Sequence, residues 1–143
     1  MATPLGPQRP VGKGRRALVV DDDPQIRRLF DLILTNAGFQ VEVAEGGRAA
    51  LQKLKESCHD VVTLDLAMSD MSGMAVIECV RELPYMPPIV VVSGAAEVVE
   101  GRRKFARPVV AFIAKPLRPS ELVAACEEAL ELDPSSRTPS RRR

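Results

Sequence analysis

Asp60-Val61-Val62-Thr63-Leu64-Asp65 is a β-type run, largely apolar, that closes on a lone carboxylate. Such a run suits a strand covered on both faces, as in a parallel sheet with helices on either side. The same grammar recurs outward from it. Ala17-Leu18-Val19-Val20 leads into Asp21-Asp22-Asp23, Pro88-Ile89-Val90-Val91-Val92 into Ser93, and Val110-Ala111-Phe112-Ile113-Ala114 into Lys115-Pro116. Phe39-Gln40-Val41-Glu42-Val43 alternates instead, which predicts an edge strand. In an open parallel sheet the carboxyl ends of the strands face one crevice. Four of these runs therefore place acids, a hydroxyl and a lysine just past their ends, around shared space. Carboxylates with one lysine and one hydroxyl suit a divalent metal and a phosphoryl group.

Helical patterns fill the gaps. Ile26, Leu29, Phe30, Ile33, Leu34 and Ala37 recur at helical spacing, with Asp23 as N-cap, Pro24 as first residue and Gly38 closing the helix. A second helix is predicted from Gly47 to Glu56. A third runs from Gly73 to before Pro84, and a fourth lies between Gly94 and Ala106. A fifth opens at Pro119-Ser120-Glu121. Five strands alternating with five helices predict a doubly wound α/β sandwich on a parallel sheet. Periodicity does not give the strand order.

The chain has 143 residues, of which 45% are hydrophobic and 3% aromatic, so one domain with an aliphatic core is expected. No apolar run is long enough to span a membrane. The first sixteen residues hold four basic side chains, no acid and six Pro or Gly, without the apolar stretch of a secretory signal, and a cytoplasmic location is expected. Residues 133–143 carry a net +3, which leaves −6 for residues 17–132. The expected organisation is a disordered basic Pro/Gly-rich tail over 1–15, a domain over 16–132 and a disordered Ser/Arg-rich tail over 133–143. Cys58, Cys79 and Cys126 form no C-x-x-C motif and are expected to be buried small apolar residues in a reducing compartment. His59, the single histidine, gives a zinc site little to build on.

Four motifs in order, Val19-Val20-Asp21-Asp22-Asp23, Leu64-Asp65-Leu66-Ala67-Met68 through Gly73, Val92-Ser93-Gly94 and Lys115-Pro116, resemble those of the response-regulator receiver domain of two-component signalling, the CheY-like superfamily. The resemblance spans residues 16–132. It implies a flavodoxin-like (βα)5 fold with strand order 2-1-3-4-5. It also implies that Asp65 accepts a phosphoryl group from a histidine kinase or phosphotransfer protein, in a reaction that needs Mg²⁺. Asp21, Asp22 and Asp65 would bind the metal together with the backbone carbonyl of Ala67. Lys115 would contact a phosphoryl oxygen, Ser93 would turn its hydroxyl toward the phosphoryl group, and Phe112 would change rotamer with it. The peptide before Pro116 would be cis. The signal would reach a downstream protein through the face made by the fourth helix, fifth strand and fifth helix, with homodimerisation a further possibility.

The chain departs from the family pattern at Ser69, where proline is common, and at Pro108-Val109, where Gly-Ala is common. Ala67 and Ala95 fall at two variable positions that tune dephosphorylation in relatives. Neither can orient a water, so a long-lived phosphoryl group is expected. Other readings compete. The receiver could be part of a larger regulator or hybrid kinase, or a docking module that has lost phosphorylation. Asp21-x-Asp23 also resembles the motif of haloacid-dehalogenase-type phosphatases, with Asp21 as nucleophile and Asp23 as acid; Pro24 and the lack of a later acid pair argue against it. The basic tails are read as solvated linkers in preference to a nucleic-acid contact.

Overall fold

A computed structural model describes residues 12–94 and 107–132. The elements run β1 (Arg16–Val20), α1 (Pro24–Asn36), β2 (Gln40–Ala44), α2 (Gly47–Glu56), β3 (Val61–Leu64), α3 (Gly73–Val80), β4 (Ile89–Gly94), β5 (Val109–Lys115) and α4 (Pro119–Leu132). The helix expected between Gly94 and Ala106 falls almost wholly outside the described residues, so α4 is the helix that begins at Pro119. The strands pair in parallel in the order β2-β1-β3-β4-β5. This is the doubly wound, flavodoxin-like arrangement.

Alternate residues of each strand serve opposite layers, as the two-residue period of a strand requires. Leu18, Val20, Val62, Leu64, Ile89 and Val91 pack with Ala50 and Leu54 of α2 and Val76, Ile77 and Val80 of α3. Ala17, Val19, Val61, Val90 and Val92 pack on the other side with Phe30 and Leu34 of α1 and Leu122, Cys126 and Ala129 of α4. The continuous apolar runs are thus explained: β3 is buried at every position. The alternating strand, β2, lies at the sheet edge, where Ala44 is its one buried residue.

Several boundaries differ from expectation for physical reasons. Phe39 does not open β2, because its N–H donates to Leu34 O at 3.0 Å and helps close α1. Ser93 and Lys115 lie within strands, not beyond them, because the β4–β5 ladder continues to Ser93↔Ala114 and Gly94↔Lys115. Residues 12–15, assigned by composition to the tail, turn back onto α1: Gly12 and Gly14 donate to Ala37 O and Gly38 O at 2.8 and 2.9 Å. The cysteine expectation holds for one of three. Cys126 is buried, which pushes its thiol up to about 12, whereas Cys58 is exposed and Cys79 half-buried.

Candidate functional site

The carboxyl end of β1 carries Asp21, and that of β3 carries Asp65. The two strands are adjacent, and Asp65 N–H donates to Val20 O at 3.2 Å, which holds the acids side by side. Asp21 and Asp65 are buried, at 2% and 6% exposure, and Ser93 is fully buried. Asp21, Asp22 and Asp65 each offer a carboxylate oxygen within 4.8 Å of the others. Asp23 faces elsewhere. Its side chain accepts from Gln25 N–H at 2.9 Å and caps α1. That assignment removes the acid a phosphatase of the haloacid-dehalogenase type would need at this position.

Each carboxylate is oriented by specific donors. Asp21 Oδ1 accepts from Asp23 N–H at 2.9 Å, and Oδ2 from Lys115 Nζ at 2.9 Å. Asp22 Oδ2 accepts from Ser69 N–H at 3.0 Å. Asp65 Oδ1 accepts from Ser93 Oγ at 2.8 Å and from Ala67 N–H at 3.3 Å. Asp65 Oδ2 faces Lys115 Nζ at 3.7 Å, an ion pair beyond hydrogen-bond reach. One oxygen of Asp65 is thus held and the other is turned toward a cation. The peptide between Lys115 and Pro116 is cis. Phe112, three residues earlier on β5, is half-buried against the layer containing Val91, its partner in the ladder. Ala67 is exposed on the loop after β3.

Burial pushes the Asp21 carboxyl above its ordinary value; the Lys115 hydrogen bond and the Asp23 N–H pull it part of the way back. Three carboxylates against one lysine leave the site short of positive charge. At about 4 Å and an effective dielectric of about 20, each like-charged pair costs roughly 4 kcal/mol. An all-oxygen donor set of this kind is what a hard divalent cation takes. Gly73 fixes how closely α3 approaches: a Cβ there would lie 2.5 Å from Asp65 O and 2.7 Å from Leu66 Cα.

Some contacts were not anticipated from sequence. Lys115 bonds Asp21 more closely than Asp65. Arg27 donates to Asp21 O at 2.9 Å. Asp70, on the loop after β3, accepts from Gly47 N–H and Arg48 N–H at 3.0 and 3.2 Å. The one available signal for Arg27 was its place a single turn after the acids; Asp70 had none, because its partners lie more than twenty residues away.

Residues 17–127 match the family model described as the response regulator receiver domain. The chain belongs to this family. Among relatives of this receiver domain, chemotaxis protein CheY of Thermotoga maritima is 35% identical over 116 residues, covering 78% of this chain and 94% of that protein. Transcriptional regulatory protein GlrR of Escherichia coli K12 is 30% identical over 119 residues, covering 83% of this chain and 27% of that protein. A solved structure of response regulator TrrA from Thermotoga maritima, in complex with Mg²⁺-BeF, aligns with a TM-score of 0.72 at 28% identity and covers 81% of this chain and 99% of that one. A sensor protein from Polaromonas sp. JS666 aligns at 0.75 and 28%, covering 82% and 97%. Receiver domains are signalling switches of two-component systems and not enzymes in the ordinary sense. No helix among the described residues is long and apolar enough to cross a membrane.

Proposed function

We propose that this receiver domain accepts a phosphoryl group on Asp65 from a histidine kinase or phosphotransfer protein, with Mg²⁺ held by Asp21, Asp22, Asp65 and the carbonyl of Ala67. The observation that carries this reading is the state of the two Asp65 oxygens. Oδ1 is fixed by Ser93 and Ala67, while Oδ2 points toward Lys115 without a hydrogen bond to it. Oδ2 is the nucleophile. It attacks phosphorus, the phosphorus–nitrogen bond of the donor imidazole breaks, and the nitrogen keeps the electron pair and takes up a proton. A carboxylate is a weak nucleophile, so positioning and neutralisation of charge supply most of the catalysis. The metal, when bound, screens the carboxylates from one another and draws charge from the phosphoryl oxygens. Lys115 neutralises a further phosphoryl oxygen. Ser93 exchanges its bond to Asp65 for one to the phosphoryl group, and Phe112 repacks with it.

A phosphoryl group adds about −1.5 to −2 charges. That is enough to bias two packings of β5 and α4 that differ by a few kcal/mol. The output is binding of a downstream protein at the face containing β5 and α4. The match to GlrR, which spans 27% of that protein, favours a second context in which the same receiver controls an attached domain.

The test is incubation with acetyl phosphate and Mg²⁺ followed by intact mass. One phosphoryl adduct is expected in the parent chain and none in Asp65→Asn or in the presence of EDTA; an adduct that survives Asp65→Asn sinks the reading. Ala67 has only a methyl side chain and cannot orient an attacking water, so slow decay of the adduct is expected. Ala95, its counterpart, lies outside the described residues.

A further inference from the structure

The loop between β3 and α3 is hooked at two neighbouring residues. Ser69 donates its N–H to Asp22 Oδ2 at 3.0 Å. Asp70 places one carboxylate oxygen on Gly47 N–H and the other on Arg48 N–H. The first N–H groups of a helix have no partner within it and need an acceptor. The N-cap of α2 is Gly46, which has no side chain to provide one. Asp70 therefore caps α2 from a distant loop, and these backbone donors hold its carboxyl below the ordinary carboxylate range. The fit leaves no slack. A Cβ on Gly46 would come within 2.6–2.8 Å of the Asp70 carboxyl atoms. Asp22, Gly46, Arg48, Ser69 and Asp70 line one groove beside the acids.

We infer that Asp70 is a positioning residue for the metal: by anchoring its loop to the N-terminus of α2, it sets the Ser69 N–H that aims the Asp22 carboxylate. The inference rests on the Mg²⁺ reading given above. It also accounts for Ser69, where a proline would have no N–H to give. Without the anchor, the Ser69 amide loses its fixed place and Asp22 samples orientations that do not face the other two acids.

The test is calorimetric titration of the metal-free full chain with Mg²⁺ alone. Asp70→Ala is expected to weaken binding about tenfold, the lower end of what loss of a partner behind a metal ligand costs. Asp70→Asn, which keeps one acceptor oxygen, falls between. Ser69→Pro weakens binding by a similar factor, and adding Asp70→Ala to it produces little further loss, because both act through one hydrogen bond. Phosphorylation by acetyl phosphate in Asp70→Ala recovers at saturating Mg²⁺. Unchanged Mg²⁺ affinity in Asp70→Ala and Asp70→Asn overturns the inference, as does full additivity with Ser69→Pro. A parent chain that fails to bind Mg²⁺ overturns the underlying reading as well, which separates the two failures.

Discussion

Lys115 has two acidic neighbours and is closer to Asp21, at 2.9 Å, than to Asp65, at 3.7 Å. Its motif, Lys115-Pro116 after an apolar strand, was legible as an element of the site. Its division between two acids was not, because that depends on how far β5 extends past its neighbour's end. In the metal-free protein Lys115 is the cation that makes a buried Asp21 tolerable, and with a divalent ion present that task is shared. Lys115→Met is therefore expected to lower stability by about 1–3 kcal/mol without metal, as loss of a charged hydrogen-bond partner does. The deficit narrows when Mg²⁺ is added. Urea unfolding of both proteins, with EDTA and with Mg²⁺, measures this. An equal deficit under both conditions would show that the lysine acts through packing and not through its charge.

At the scale of elements, periodicity was informative where burial is symmetric and weak where it is not. Leu18-Val19-Val20 and Ile89-Val90-Val91-Val92 could be read as central strands because both faces are covered. The order of the strands came from family resemblance, since each run carries the same signal wherever it sits in the sheet. For that reason the pairing of His59 with Glu42 escaped the sequence: it needs β2 and β3 to flank β1. His59 is buried at 1% exposure, and its Nε2 lies 2.6 Å from Glu42 Oε1. Arg16 Nη2 donates to the same Glu42 oxygen, at 3.3 Å. Burial, assisted by Arg16 and opposed by Glu42, holds the imidazole below its ordinary value of 6.5. The unfolded chain then takes up a proton near that pH while the folded protein resists it. The corresponding stability is present above 6.5 and is lost as pH falls below it, by at most about 1.4 kcal/mol per pH unit. Glu42, held low by its bond to His59, adds a second loss below its own ordinary value of 4.5. His59→Gln does not titrate, so its stability should fall less steeply from about pH 7 to about pH 5. Parallel slopes in urea unfolding across that range would refute this account.

For the whole molecule, the two layers of aliphatic packing support a cluster of charges that opposes folding. Asp21, Asp22 and Asp65 converge at the end of the sheet because β1 and β3 are neighbours, and the sheet holds them there whether or not a cation balances them. Sites that need such an arrangement are expected to lower stability in return for function. Asp65→Asn removes one charge while keeping the shape and the oxygen that accepts from Ser93. The metal-free variant should therefore be more stable than the parent by about 1–2 kcal/mol, a fraction of the pairwise repulsion because Lys115 already offsets part of it. Metal reverses the order. A ligand that binds the folded state stabilises it by about 2.7 kcal/mol at one hundred times its dissociation constant. The parent, with three carboxylates, gains this at lower Mg²⁺ than the variant with two. Unfolding curves over a Mg²⁺ series should thus cross, the variant ahead at low metal and the parent ahead at high metal. If Asp65→Asn is the less stable protein in EDTA, the acids do not repel one another in the folded chain, and the case for a cation at this site loses its physical basis.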